Sequence, residues 1–260
     1  MIDESTEVAL SNFAPSVSSQ IKCGMILAAG RGTRLGALGR QTPKALLEVG
    51  GEALVDQALA GLAAANVKEV VINASHLKNQ IEAHLKKTIK KPTVQLSLEE
   101  EPLETGGGVL KALPLLDRAP FFAINVDTWW ARTLASGLEA LKQAWRPETM
   151  DALLLVLPTV RATEYVGRGD FMMDGIGRLT RKNESETVPF LFTGAQILHP
   201  RAFADPPDGA FSLNEIYDRA ASSGRLFGVS HSGRWQDVGT PARLAQARAM
   251  ADDYRQASLL

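Results

Sequence analysis

Short apolar segments of strand length alternate with segments of helical periodicity along most of this 260-residue chain. The strand-like segments cover 25–27, 67–74, 94–98, 121–126 and 152–160. The helical segments cover 53–65, 76–87, 107–116 and 134–145. Because the last strand-like segment is almost continuously apolar, it is typical of a strand buried on both faces. The alternation predicts a Rossmann-like α/β fold, with a mostly parallel central sheet flanked by helices and ligands at the carboxyl ends of the strands.

The alternation changes after residue 167. Segment 169–182 predicts a hairpin that turns at Asp174 and Gly175. The remaining predicted elements are strands over 189–198 and 226–231, a helix over 213–222 and a last helix that opens at Pro241. These elements extend the same sheet and make it mixed. We therefore expect a single domain over 23–256 that includes a small α+β part.

Composition excludes several classes of protein. The chain is 45% hydrophobic, which is enough for a sizeable core, and its formal net charge of -1 gives no long-range attraction to nucleic acid or to an anionic membrane. Cys23 is the only cysteine, which rules out an intrachain disulfide and suits a reducing compartment. No apolar run approaches the roughly 18 residues needed to span a bilayer. We expect a cytoplasmic protein without nucleic-acid or membrane partners.

The N-terminal segment 1–22 differs from the rest of the chain. It is acidic and serine-rich, and it lacks the basic start and apolar core of a signal peptide. We therefore expect a flexible N-terminal tail.

The segment from Met25 to Leu47 carries the most specific chemical signal. Its apolar strand opens into small residues whose backbone can approach a phosphate closely and present N–H groups to it, namely Ala28, Ala29, Gly30 and Gly32. Arg34 can fork onto two phosphate oxygens, and Lys44, which follows a proline, supplies a point charge. A Rossmann dinucleotide loop fits poorly because Leu35 stands where its third glycine belongs, and no Walker A sequence occurs. The loop therefore indicates a nucleoside triphosphate site.

Two isolated aspartates follow strand-like segments. Asp127 ends AINVD, and Asp237 lies in WQDVGT. Magnesium prefers oxygen ligands, and phosphate-transfer sites hold it with one or two carboxylates plus substrate phosphates. An aspartate at a strand end is also a common cap of a following turn or helix. Because both aspartates occur together with the phosphate loop, we favour a metal site.

These residues together resemble a known family. The motif L-A-A-G-x-G-T-R at 27–34, followed by Pro-Lys at 43–44, resembles the signature of the sugar-1-phosphate nucleotidylyltransferases. The resemblance covers about 24–246. Four segments carry it, namely TPKALLEVGGEALV at 42–55, EPLETGGGVLKALPLL at 101–116, GRGDF at 167–171 and WQDVGTPARL at 235–244. The second and third are most similar to the branch that acts on N-acetylmuramate 1-phosphate.

The resemblance implies a fold and a reaction. The fold is that of the nucleotide-diphospho-sugar transferases, which is GT-A-like, with a nucleotide-binding half over about 23–130 and a sugar-binding half over about 131–256. The reaction is Mg²⁺-dependent transfer of a uridylyl group from UTP to N-acetyl-α-D-muramate 1-phosphate, giving UDP-N-acetylmuramate and pyrophosphate in peptidoglycan recycling. Because a phosphate monoester is mostly dianionic at neutral pH, we expect no Ser-His-Asp or Cys-His set to activate it.

The resemblance also implies roles for individual residues. Arg34 would hold the departing phosphates and Lys44 the α-phosphate or the sugar phosphate, and Asp127 and Asp237 would hold Mg²⁺. The implied nucleotide-binding residues are Leu27, Ala28, Ala29, Gly30, Gly32, Thr33, Arg34, Gly107 and Gly108. The implied sugar-phosphate residues are Lys44, Glu104, Thr105, Asn125, Arg168, Gly169, Thr193 and Gly194. Arg168 is the candidate partner of the lactyl carboxylate of muramate, and an exposed hairpin arginine is the alternative.

One residue departs from the family pattern. Val126 stands between Asn125 and Asp127, where the family has glycine. If that glycine needs a positive φ, valine would displace the metal ligand, whereas in ordinary β backbone valine is harmless.

Two other functions remain open at this point. One is nucleotidyl transfer to another sugar phosphate, such as guanylyl transfer to mannose 1-phosphate or a glucose-1-phosphate-type reaction. The other is a non-catalytic subunit that senses nucleotide sugars, although a sensor has no reason to keep both aspartates. We expect a monomer or a weak homo-oligomer.

Overall fold

The computed structural model describes residues 21–88, 91–163, 165, 167–183 and 185–257. The predicted tail lies outside these ranges except for its last two residues. Of these, Ile21 is buried, and the carbonyl of Lys22 accepts a hydrogen bond from the N–H of Lys68. Ile21 and Lys22 therefore belong to the folded domain, one or two residues earlier than predicted.

The first half of the chain alternates strands and helices as its apolar periodicity predicts. The strands are β1 (Cys23–Leu27), β2 (Glu48–Val49), β3 (Glu52–Ala53), β4 (Glu69–Ala74), β5 (Thr93–Leu98), β6 (Phe121–Asn125) and β7 (Thr128–Trp129). The α-helices are α1 (Ala37–Gln41), α2 (Leu54–Ala64), α3 (Lys78–Thr88) and α4 (Glu104–Ala112). Short 3₁₀ turns occupy Thr33–Leu35, Lys44–Leu46 and Leu113–Leu115.

The second half adds antiparallel strands. It contains α5 (Leu134–Ala144), β8 (Ala152–Pro158), β9 (Phe171–Met173), β10 (Leu179–Arg181), β11 (Phe190–Leu198), α6 (Leu213–Ser222), β12 (Leu226–Ser230), β13 (Gln236–Asp237) and α7 (Pro241–Ala257). Two 3₁₀ turns lie at Thr159–Arg161 and Pro200–Phe203. The hairpin predicted at 169–182 is β9–β10, and its turn is closed by the hydrogen bond from the Asp174 N–H to the Arg178 carbonyl.

The central sheet has nine strands. Its main path is β10-β9-β11-β6-β1-β4-β5, and β8 pairs with β11 and β12. Strands β5, β4, β1 and β6 are mutually parallel, whereas β11 runs antiparallel to β6 and β8. The prediction of a mixed, mostly parallel sheet flanked by helices is confirmed.

Two apolar layers cover the two faces of this sheet. Along β1, Ile26 belongs to the layer packed under α2 and α5, whereas Met25 and Leu27 belong to the layer under α4 and α6. This alternation follows from the two-residue period of a strand. Helices α2 and α5 pack closely, since a Cβ at Gly61 would lie 2.8 Å from Leu134 Cγ.

Two features of the fold differ from the prediction. Helix α4 begins at Glu104 rather than at Gly107, so the three glycines lie within the helix. The two-residue strands β2, β3, β7 and β13 were not predicted. In the described ranges, no helix has the length and apolar character needed to cross a membrane.

An ion-pair cluster fixes the start of β8. The Asp151 carboxylate accepts hydrogen bonds from Arg201 and Arg225, at 2.6 and 2.8 Å. Burial raises the pKa of Asp151, but the two guanidinium groups outweigh it and hold that pKa below its ordinary value. Both arginines also donate to carbonyls of the 147–150 turn. The cluster therefore joins this turn to the strand that follows it.

We expect Asp151→Asn to lower the free energy of unfolding by about 1.5 to 3 kcal/mol at neutral pH, because the amide cannot replace two charge-assisted hydrogen bonds. Because the native pKa lies below the unfolded value of about 3.9, this stabilisation is present above about pH 4 and is lost as the pH falls through the native pKa. Urea unfolding of wild type and variant from about pH 7 to about pH 3 measures how the difference in unfolding free energy depends on pH. Asp252→Asn, at an exposed pair 3.8 Å from Arg255, is the control. A difference in unfolding free energy between variant and wild type that does not change with pH would contradict the lowered pKa of Asp151.

Candidate active site

A cavity of about 350 Å³ opens at the carboxyl ends of the parallel strands. Predicted site residues that line it are Leu27, Ala28, Ala29, Gly30, Lys44, Glu104, Thr105, Asn125 and Asp127. The lining also includes Asn73, Glu99, Pro102, Val126 and Ser212. The volume is within the range of small-molecule sites, and the position is the one expected for ligands of an open parallel sheet.

The phosphate-loop residues Gly32 and Thr33 lie outside this lining. They border a neighbouring cavity of about 540 Å³ that also contains Arg31 and Arg40. Gly32 has a φ of 64°, and a Cβ there would lie 3.4 Å from Lys44 Cγ. The loop therefore turns closely around the stem of Lys44.

Lys44 faces Asp127. The Lys44 Nζ atom lies 2.7 Å from Asp127 Oδ2, and the lysine side chain is only 12% exposed. Pro43 holds an extended backbone immediately before the 3₁₀ turn that begins at Lys44. The ammonium group is therefore a positioned cation rather than a solvated surface group.

Asp127 and Asp237 are brought together by a two-residue ladder. Strand β13 pairs with β7 in the register Asp237 opposite Thr128, and the Val238 N–H donates to the Asp127 carbonyl at 3.0 Å. Two segments that are far apart in sequence are thus adjacent at Asp127 and Asp237.

Asp237 is held from two sides. Its Oδ1 atom accepts a hydrogen bond from the Gly239 N–H at 3.1 Å, and its Oδ2 atom accepts one from the guanidinium of Arg243, in the first turn of α7. A Cβ at Gly239 would lie 3.1 Å from Arg34 Nη2, so the guanidinium of Arg34 lies against this glycine. Arg34, Lys44, Asp127 and Asp237 therefore converge.

The donor set fits a divalent cation of the magnesium type. The side chains of Asp127 and Asp237 are 27% and 25% exposed, so both carboxylates can reach a ligand. Across the described part of the chain, no group of three or more His, Cys, Asp or Glu side chains is placed to hold a metal. Two carboxylates completed by substrate phosphates are what Mg²⁺ takes in phosphate-transfer sites.

The backbone at Val126 is ordinary. The non-glycine residues with positive φ in the described chain are Asn66, Leu77, Glu104, Ala131 and Arg132, and Val126 is not one of them. The valine is 4% exposed, and its N–H donates to the Leu27 carbonyl at 3.2 Å. The valine therefore has no positive φ that would strain the backbone next to Asp127.

The glycines at 106–108 serve packing. The N–H groups of Gly106 and Gly107 donate to the Phe211 carbonyl at 2.8 and 3.1 Å, so these donors are directed into the protein. A Cβ at Gly106 would lie 2.3 Å from the Phe211 ring. Gly107 and Gly108 are absent from the cavity lining, where Glu104 and Thr105 take their place.

The predicted sugar-side residues are spread around a bulge in β11. The β8–β11 register shifts between Phe192 and Gln196. Within this bulge, the Thr193 side chain is fully buried, and a Cβ at Gly194 would lie 3.0 Å from Asn125 Cβ. Gly169 has a φ of 73°, and its N–H donates to the Tyr165 hydroxyl at 3.0 Å. Gly194 therefore lies against Asn125, whereas Arg168 and Gly169 lie beside Val188, and none of Arg168, Gly169, Thr193 and Gly194 lines the cavity.

The sequence analysis missed Asn73, Glu99 and Arg243. Asn73 is a polar residue within an apolar strand, and Glu99 directly follows one; these were the available signals. Arg243 carried no signal, because arginines in the first turn of a helix are common on surfaces.

The chain matches a known protein family. Residues 23–253 match the model of the family described as nucleotidyl transferase.

Two of the following relatives span almost the same length as this chain, and the third is longer. N-acetylmuramate alpha-1-phosphate uridylyltransferase of Caulobacter vibrioides is 38% identical over 241 residues, which cover 91% of this chain and 100% of that protein. The protein of the same name from Neisseria meningitidis serogroup B is 33% identical over 89% of this chain and 99% of its own length. Mannose-1-phosphate guanyltransferase of Yarrowia lipolytica is 29% identical over 84% of this chain and 61% of its length.

Solved structures share the fold at low sequence identity. The inositol-1-phosphate CTP transferase from T. maritima superposes with a TM-score of 0.73 at 15% identity, covering 91% of this chain and 97% of that one. UDP-glucose pyrophosphorylase in complex with UDP-glucose gives a TM-score of 0.72 at 19% identity, covering 91% and 99%.

We expect Val126→Gly to lower the free energy of unfolding by about 2 to 4 kcal/mol, because it removes a buried side chain and adds backbone freedom to the unfolded state. Val126→Ala removes most of the side chain without adding the backbone freedom of glycine, so comparing the two variants separates these contributions. Urea denaturation measures both variants. A glycine variant at least as stable as wild type would show that valine strains this backbone.

Proposed function

This chain belongs to the nucleotidyl transferase family, and from that membership we propose that it transfers a uridylyl group from UTP to N-acetyl-α-D-muramate 1-phosphate, giving UDP-N-acetylmuramate and pyrophosphate. The observation that carries the proposal is that Lys44 and Asp127 line the cavity, with Asp237 on the strand paired beside Asp127 and Arg34 against Gly239. The family binds a nucleoside triphosphate and a sugar 1-phosphate. The muramate substrate is proposed from the two relatives named for it.

The reaction needs little activation of the nucleophile. A phosphate oxygen of the sugar 1-phosphate attacks the α-phosphorus of UTP, an O–P bond forms, and the α–β bridging bond breaks to release pyrophosphate. The attacking phosphate has a second pKa of about 6 and is mostly dianionic at neutral pH. The protein therefore has to align two anions and offset their charge. Lys44 meets the α-phosphate or the sugar phosphate, and Arg34 meets the departing phosphates.

Members of this family use a divalent metal. We propose Mg²⁺, held by the carboxylates of Asp127 and Asp237. When bound, it supplies positive charge to the phosphate oxygens. Lys44 and Arg243, which contact these two carboxylates, offset their charge before the substrates enter.

The product suggests a cellular role. UDP-N-acetylmuramate is a building block of peptidoglycan, so we propose that the protein acts in cell-wall recycling in the cytoplasm. The presence of both carboxylates argues against a purely sensing subunit.

We expect purified protein with Mg²⁺ to release pyrophosphate from UTP and N-acetylmuramate 1-phosphate. Parallel reactions replace the sugar by mannose, glucose or N-acetylglucosamine 1-phosphate, and UTP by GTP. Asp127→Asn and Asp237→Asn should each lower kcat/KM by about a hundredfold or more, because each removes charge opposite the phosphates. Asp252→Asn, on the exposed face of α7, should match wild type. Preference for another pair of substrates would keep the reaction type and discard the muramate assignment, whereas no turnover with any pair would refute it.

Arg168 is our proposed partner for the lactyl carboxylate. Arg168→Ala should raise the KM for N-acetylmuramate 1-phosphate about tenfold, which is the value of one charge-assisted hydrogen bond, and leave the KM for N-acetylglucosamine 1-phosphate unchanged. Arg178→Ala, an exposed arginine of the β9–β10 hairpin, is the matched control. Full affinity of Arg168→Ala for the acidic sugar would exclude the role.

A further inference from the structure

A chain of hydrogen bonds joins two walls of the cavity. The Ala28 N–H donates to Asn73 Oδ1 at 2.8 Å, Asn73 Nδ2 donates to Glu99 Oε1 at 2.7 Å, and the Leu103 N–H donates to Glu99 Oε2 at 3.0 Å. Ala28 belongs to the phosphate loop after β1. Leu103 immediately precedes α4. The side chains of Asn73 and Glu99 therefore connect two segments that are distant in sequence and that both contribute residues to the cavity lining.

The connecting pair is buried at the site. Asn73 is 2% exposed and Glu99 is 1% exposed, yet both line the cavity. A buried polar group that loses its hydrogen bond costs free energy, and the cost is larger for a charged group. The pair therefore has one low-energy arrangement rather than several.

Helix α4 is shaped to accept this pair. A Cβ at Gly108 would lie 2.6 Å from Asn73 Nδ2 and 2.9 Å from Glu99 Oε1. Any side chain at this position would displace both polar groups. The close approach of Asn73 and Glu99 therefore accounts for the glycine at position 108.

We propose that Asn73 and Glu99 are positioning residues for the nucleoside triphosphate. They act through the backbone of Ala28 and Leu103, which they hold at the separation that the nucleotide requires. The N–H of Ala28 is directed to Asn73, so phosphates are met by the later residues of the loop. This role rests on the proposed function, because it assumes that the nucleotide enters between these two walls.

The direction of the hydrogen bonds makes the proposal testable. In Glu99→Gln, the glutamine oxygen can accept from the Leu103 N–H, but the glutamine NH₂ group then faces the Asn73 NH₂ group, and two donors meet. If the Asn73 amide turns over to avoid this, its NH₂ group faces the Ala28 N–H, and two donors meet there instead. In Asn73→Asp, two carboxylates face each other. The double variant Asn73→Asp/Glu99→Gln restores every donor–acceptor pair and keeps one negative charge.

The experiment measures the Kd for UTP by calorimetry and the KM values of both substrates for these three variants and wild type. We expect each single variant to weaken UTP binding about tenfold, which corresponds to one lost buried hydrogen bond. The double variant should return to within about threefold of wild type, a coupling that independent sites do not show. The KM for the sugar phosphate should rise by a smaller factor than the Kd for UTP, because the pair holds the phosphate loop at Ala28 directly, whereas it reaches the predicted sugar-phosphate residues Glu104 and Thr105 only through Leu103.

A surface pair of the same chemistry is the control. Asn183 Nδ2 donates to Glu186 Oε1 at 3.3 Å in an exposed turn. Asn183→Asp, Glu186→Gln and their double variant should leave the Kd for UTP unchanged.

The outcomes separate the two proposals. Wild-type turnover of GTP rather than UTP would refute the proposed function, and the same cycle would then be measured with GTP. Single variants that bind the nucleotide like wild type, or a double variant as weak as the singles, would overturn the positioning role. Equal losses in both KM values would overturn it too, since they indicate general damage to the fold.

Discussion

Parallel pairing of β5, β4, β1 and β6 is the constraint on which the site depends. The ladders align Leu27 with Asn73 on one side and with Asn125 on the other, and they align Asn73 with Ser97. One row of residues therefore crosses the sheet at its carboxyl edge. The phosphate loop, Glu99 and Asp127 each follow directly from this row. A slip of one residue in any ladder would turn the row to the opposite face of the sheet and dismantle the cavity.

The β7–β13 pairing adds the second requirement. It brings two acidic residues, Asp127 and Asp237, into adjacent backbone segments. Lys44 on Asp127 and Arg243 on Asp237 supply the opposite charge. The aromatic residue beside the ladder helps to fix it, because Trp235 Nε1 donates to the Thr193 carbonyl at 2.8 Å. Charge balance and backbone pairing together keep the acidic pair in place.

Apolar periodicity was sufficient to predict the long strands and helices, because each of them buries a face several residues long. Strands β7 and β13 have only two residues each, which is too few for a period, and their partners lie about a hundred residues apart. Lys44 and Asp127 could be predicted from their motifs. Asn73 and Glu99 could not, because their role depends on the hydrogen bond between them, and they are 26 residues apart in sequence. Gly107 and Gly108 were expected to bind the nucleotide. The Phe211 carbonyl accepts hydrogen bonds from the N–H groups of Gly106 and Gly107, and the sequence around Gly106 gives no signal of this contact.

The position of Asp237 near the C-terminal end of the folded domain has a consequence for the newly made protein. By the time residue 130 has been synthesised, the chain contains the phosphate loop, Lys44, Asp127 and the parallel strands, but only half of the carboxylate pair. Strand β13 and the first turn of α7 supply the other half more than a hundred residues later. If the site works as proposed, a ribosome-bound chain therefore carries the phosphate loop without the second carboxylate, and the site is complete only after the C-terminal segment has docked.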